Sequence, residues 1–162
     1  MAQTSRTRSI GLAVAAGAMI PLATAGPSWS APPISGSGAG QVTGDEVTST
    51  RFSGQNRIVE RDITGFLTGA LEGSFTEHVV GVVHPDGTVT FGGTLSLTGT
   101  VEGCGTGTVT GRLQGRGQAS PPVTDAVAAV TGLSGSTVGL SGHGTVHQEG
   151  ASLSYSFQYS CR

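Results

Sequence analysis

The sequence predicts an all-β fold, and three observations carry that prediction. The C-terminal segment ASLSYSFQYSC places Leu153, Tyr155, Phe157, Tyr159 and Cys161 on one side, with Ser152, Ser154, Ser156, Gln158 and Ser160 on the other. A strict period of two is the mark of a half-buried strand. The segment GVVHPDGTVTF carries a hairpin signature, with Pro85 set for the second position of a type I turn and Gly87 where the chain needs a positive φ. Across residues 56–162, Val, Thr, Phe and Leu alternate with Ser and Thr between glycines, and helical periodicity is almost missing.

Taken in order, residues 1–30 read as a secretory leader. Arg6 and Arg8 precede the apolar run IGLAVAAGAMIPLATA, followed by small residues and Trp29. The run is short and interrupted by Pro21, whereas a membrane helix needs roughly 20 apolar residues. Cleavage after Ala25 or after Ser30 fits, the second being preferred. An extracellular chain is expected, with no membrane span in its mature form. Residues 31–55, APPISGSGAGQVTGDEVTSTRFSGQ, are rich in Pro, Gly and Ser and lack apolar periodicity. They predict a flexible arm ahead of a β-domain over residues 56–162.

Within that domain the segment RIVERDITGFLTG predicts the first strand. A tight turn at ALEG (residues 70–73) then pairs Phe66 with Glu77 and Thr64 with Val79. The loop at Pro85 to Gly87 folds the next two strands so that Phe75 meets Leu97, Glu77 meets Leu95, Val79 meets Gly93, Gly81 meets Phe91 and Val83 meets Val89. This register gathers the large apolar residues on one face, and a one-residue slip would send them all to the other. It answers a question raised by the adjacent Glu77 and His78: successive strand residues face opposite ways, so the two are not an acid–base pair. Glu77 is expected inside, walled by Phe66 and Leu95. His78 is expected outside with Val80, Val82, Ile63 and Leu67. An outer face so apolar predicts a cover, either a second copy of the chain or the arm. Further on, TDAVAAV (residues 124–130) fits a short helix or another strand.

Composition excludes some functions. Charged residues make up 11% of the chain, lysine is absent, and the net charge of −2 becomes more negative once Arg6 and Arg8 leave with the leader. No basic patch exists to meet phosphates, so nucleic-acid binding is not expected. Cys104 and Cys161 are the two cysteines, and an even pair in an exported protein predicts a disulfide rather than a zinc site or a free thiol.

The run HPDGTVTFGGTLSLTGTV, the glycine-threonine steps of EGCGTGTVTGRLQGRG and the later GLSGHGTV together resemble the allene oxide cyclase-like barrels, a superfamily that includes the dirigent proteins. The likeness spans about residues 58–161. It implies a closed antiparallel barrel of about eight strands, often assembled as a homo-oligomer, with a pocket at one mouth for a small hydrophobic molecule and no cofactor. In enzymatic members such a barrel steers cyclisation or coupling. No catalytic motif of the family is matched here. Glycines 99, 103, 107, 111 and 115 recur at even spacing, as close-packed barrel strands require.

Glu77 is the candidate catalytic residue, because an inward carboxylate between apolar walls should have a raised pKa. The alternatives are a structural carboxylate bonded to inward threonines and a glutamate at a wet barrel mouth. Phe66, Phe75, Phe91, Leu95, Tyr155 and Phe157 are the candidate ligand contacts. Glu60 and Asp62 share the face of Phe66 and read as rim residues. Arg112 and Arg116 share a face, most simply exposed to solvent. His143 and His147 lie roughly 13 Å apart on a strand at about 3.3 Å per residue, too far for one metal. No metal site follows, and GLSGS (residues 132–136) lacks the strand–turn–helix context of a nucleophile elbow. Three functions remain: a secreted barrel binding a small hydrophobic ligand, a cofactor-free cyclase or isomerase using Glu77, and a structural surface protein.

Overall fold

The structure, a computed structural model, describes residues 32–162; the expected leader lies outside them. Eight antiparallel strands follow one another: β1 (Ile34–Ser53), β2 (Asn56–Gly69), β3 (Leu71–Val83), β4 (Thr88–Val101), β5 (Gly105–Ala119), β6 (Pro122–Gly135), β7 (Ser141–Glu149) and β8 (Ser152–Ser160). Each pairs with the next, and β8 returns to β1 to close a barrel. No described residue is helical, and TDAVAAV lies within β6.

The segment expected to be a flexible arm is instead the longest strand. Its first half, residues 34–41, pairs with β8 and closes the ring. The reason lies inside the barrel. Gly36, Gly38 and Gly40 alternate with Ser35, Ser37 and Ala39, and the glycines face the rings of Tyr159 and Tyr155 and the side chain of Leu153. A Cβ on Gly38 would run into the Tyr155 hydroxyl and the Thr68 carbonyl. Glycine here is an inward residue of zero volume, matched to three bulky ones across the pair. The domain therefore begins at about Ile34, not at residue 56.

The β3–β4 register is the expected one at all five pairs, from Phe75–Leu97 to Val83–Val89. Its loop is held by His84 and Thr88 through a backbone bond of 2.9 Å, and by Asp86, which accepts from the Thr88 amide at 2.9 Å and the Thr88 hydroxyl at 2.7 Å. Gly87 has φ 85°.

The β2–β3 register differs from expectation. Phe66 pairs with Ser74 and Thr64 with Thr76, while Glu77 meets Ile63. The turn pivots at Gly69 and Ala70 rather than within residues 70–73, and the resulting shift of three residues inverts the face of β2. Phe66, Glu60 and Asp62 are thus outside, and Ile63 and Leu67 inside against the core. The cause is distant in sequence. The buried Tyr155 hydroxyl accepts from the Leu71 amide at 2.7 Å and lies 3.0 Å from the carbonyl oxygens of both Thr68 and Leu71. Ala70 is buried beside Gly36, and its amide donates to Ser37.

One end of the barrel is filled. Leu71, Val101, Leu140, Tyr155 and Tyr159 are buried there. Tyr159 donates to the Glu102 carbonyl at 2.9 Å, so the two tyrosines hold the β2–β3 and β4–β5 turns. Thr137, fully buried in the β6–β7 connection, donates to the carbonyl oxygens of Ser134 and Thr108. The Cys104–Cys161 disulfide ties the last strand to the β4–β5 turn at the same end, with Cα atoms 5.6 Å apart, a span suited to a bridge.

The outer face is largely hydroxyl. Thr94, Thr98 and Thr100 of β4, Thr106, Thr108 and Thr110 of β5, and the alternate serines of β8 point outward. Phe66 is 46% exposed there, and Val127 51%.

Candidate functional site

The opposite end is open. Here β1 and β2 run past the point where β1 leaves β8, and the loops at Pro85, Pro121 and Gly150 form the rim. Inward residues leave a cavity of about 270 Å³, walled by Val59, Val79, Val83, Val89 and Phe91. Asp45, Arg57, Arg61, Gln118 and Gln148 bring polar atoms to it. Arg61 is bound to Asp45 at 3.1 Å.

Glu77 lies at the floor. It lines the mouth cavity and also a smaller void of about 40 Å³ below, which is bounded by Leu67, Phe75, Leu95, Leu97, Tyr155 and Phe157. Its neighbours across the sheet are Ile63 and Leu95. No hydrogen bond or ion pair joins its carboxyl to a described residue, and its pKa is raised from the ordinary 4.5 to about 7 by burial. An ionised carboxylate loses hydration here without gaining a partner, so the proton is retained. Among the described residues, all fully enclosed side-chain nitrogens and oxygens have partners, so the Glu77 oxygens must reach the open space of the cavity. Near neutral pH this carboxyl can donate a hydrogen bond, accept one, or exchange a proton with a bound molecule.

The glycines lining the interior fall into two kinds. At Gly93, Gly99, Gly107, Gly115 and Gly117 a Cβ would collide with a carbonyl oxygen of the adjoining strand. Close packing explains them. Gly81 differs: a Cβ there would meet Phe91 and Val89 at 3.8 Å, ordinary contact distances, and its φ is not positive. Gly81 opens into the mouth cavity. Neither turn nor packing requires glycine there, and the missing side chain is empty space in the cavity.

The structure separates the residues singled out from sequence. Phe75, Leu95, Tyr155 and Phe157 surround the lower void and Phe91 the mouth. Phe66 points outward and touches neither space. Ile63 takes the place beside Glu77 that Phe66 was expected to fill. His78 is outside, its Nδ1 2.7 Å from Asp62, and His147 makes a like pair with Asp125 at 2.8 Å. Arg112 and Arg116 are exposed, and Glu60 pairs with Arg51 at 2.7 Å. Among the described residues, no group of three or more His, Cys, Asp or Glu is placed to hold a metal. None of the described helices is long and apolar enough to cross a membrane, since the described residues form none. GLSGS ends β6 with no helix following, so it makes no nucleophile elbow.

Val59, Ile63, Arg57, Arg61 and Gly81 were not singled out as site residues from sequence. The period of RIVERDI contains the first four as one face, and only the turn position decides which face is inside.

No family model and no curated protein matches this chain.

Proposed function

We propose that the chain is an exported β-barrel that binds a small hydrophobic molecule in its open mouth. One observation carries the reading: a cavity of about 270 Å³ with valine and phenylalanine walls ends on an unpaired carboxyl. Ligand sites are concave, apolar and equipped with few polar groups, and this cavity has that composition. Its size favours a molecule of one or two rings. The resemblance to the allene oxide cyclase-like barrels points the same way. Export is supported by the leader-like pattern and by a disulfide, which persists in oxidising compartments.

Gly81→Leu tests the reading. A Cβ at this position meets Phe91, Val89 and the Thr90 carbonyl only at ordinary contact distances of 3.8–3.9 Å, so leucine should be accepted by the backbone and fill the mouth. The variant should lose the fluorescence enhancement that phenylnaphthylamine shows on entering an apolar site. Equal enhancement in parent and variant would place the probe elsewhere.

A second reading rests on Glu77 itself. A carboxyl with a pKa about 7 inside an apolar cavity suits proton transfer, as in a cofactor-free cyclase or isomerase. Glu77→Gln separates the two readings: turnover vanishes and binding stays if Glu77 is catalytic.

A further inference from the structure

We propose that the mouth selects neutral, largely apolar molecules whose leading end carries a carbonyl or ether oxygen, and that the acid form of Glu77 donates a hydrogen bond to that oxygen. The inference rests on the ligand-binding reading above and narrows it to a chemical class.

The charges around the cavity exclude the alternatives in turn. From β2, Arg57 and Arg61 face it, and from β1, Asp45. Arg61 is one inward position up the sheet from the Glu77–Ile63 pair but is held by Asp45; Arg57 is three positions up, level with Val83. From β4 come Val89, Phe91 and Leu95, from β6 Thr124, from β7 Gln148. From β8 comes Tyr155, whose hydroxyl is engaged by the β2–β3 turn. No cation is therefore paired with Glu77, and none is available to keep it ionised. An ammonium would have to pass the Arg57 guanidinium at the rim. An anion would be held by Arg57 near the rim, leaving the carboxyl unused, or would meet a carboxyl after losing its own hydration. A neutral oxygen suffers neither penalty, and it satisfies a donor that otherwise has no protein partner.

Burial keeps the Glu77 proton in place up to about pH 7. A bound acceptor interacts favourably with the protonated form, so affinity is full below that pH and falls as the group ionises above it.

The test uses four two-ring probes of similar shape: acetylnaphthalene (neutral ketone), ethylnaphthalene (no acceptor), naphthylmethylamine (cation) and naphthoate (anion). Binding to the intact protein is measured at about pH 5.5 and about pH 8.5, well on either side of the Glu77 transition. The ketone should bind about tenfold tighter than the hydrocarbon at the lower pH, and that advantage should fade at the higher. In Glu77→Gln the amide remains a donor, so the advantage should persist at both. Preferred binding of the amine, strengthening as pH rises, would overturn the proposal. So would equal binding of ketone and hydrocarbon, or preferred binding of naphthoate unaffected by Glu77→Gln. Failure of all four probes to bind, or binding unchanged in Gly81→Leu, would overturn the ligand-binding reading as well. Thermal melts report whether each variant folds, and the wild-type pH series decides the proposal without them.

Discussion

Two buried polar side chains are the sharpest residues of this molecule, and their environments differ. Glu77 is buried without a partner, and burial raises its pKa from 4.5 to about 7. Its proton is held more tightly in the folded than in the unfolded chain. Stability from this group is therefore fully present below about pH 4.5, lost as pH rises towards 7, and level above. At 1.36 kcal/mol per pH unit, reduced for partial exposure, the loss is about 2–3 kcal/mol. Urea denaturation of Glu77→Gln should show the variant matching the parent at acid pH and exceeding it at pH 8 by about that amount. Tyr155 is buried with its partners made. Tyr155→Phe strands the Leu71 amide and a turn carbonyl, so it should cost about 1–3 kcal/mol in the same assay. Glu77 was legible in the sequence, because alternation around a recognisable loop put it inside. The role of Tyr155 was not, since its partners lie 84 and 87 residues away along the chain.

At the scale of the element, legibility followed the turns. The β3–β4 loop contains Pro85, Asp86 and Gly87, each with a stereochemical role, and its register came out pair for pair. The β2–β3 turn has a glycine on either side of ALE, Gly69 and Gly73. Both take positive φ, and nothing local favours one pivot over the other. Tyr155 and the docking of Ala70 on β1 decide it. β1 was hidden for a related reason: between the core-packed Ile34 and Val42 its inward residues at 36, 38 and 40 are glycines, so the alternation that identifies a strand is broken by three positions without a side chain. A chain that read as a linker by composition is a strand because β8 supplies the bulk from across the pair. Gly38→Ala should therefore cost about 1–3 kcal/mol as an overpacked site, whereas Ser37→Ala beside it should stay within about 0.5 kcal/mol. Equal tolerance at both positions in thermal denaturation would contradict a packed β1.

For the whole molecule, a filled end and an open end divide the work. Tyrosines, Leu71, Val101, Thr137 and the disulfide close one end, and the cavity with Glu77 occupies the other. A bridge separated by 57 residues should stabilise the fold by roughly 4 kcal/mol in the chain-entropy model. Reduction should lower the melting temperature yet leave mouth binding intact, because the bridge touches no cavity wall. The most direct test of the central claim, that a ligand enters the barrel by its open mouth, is the methyl NMR spectrum of the wild-type protein titrated with acetylnaphthalene. The account predicts shifts concentrated at Val59, Val79, Val83 and Val89, with Val127, Leu133 and Val138 unmoved. Shifts confined to those three exposed side chains, with the mouth valines silent, would contradict it.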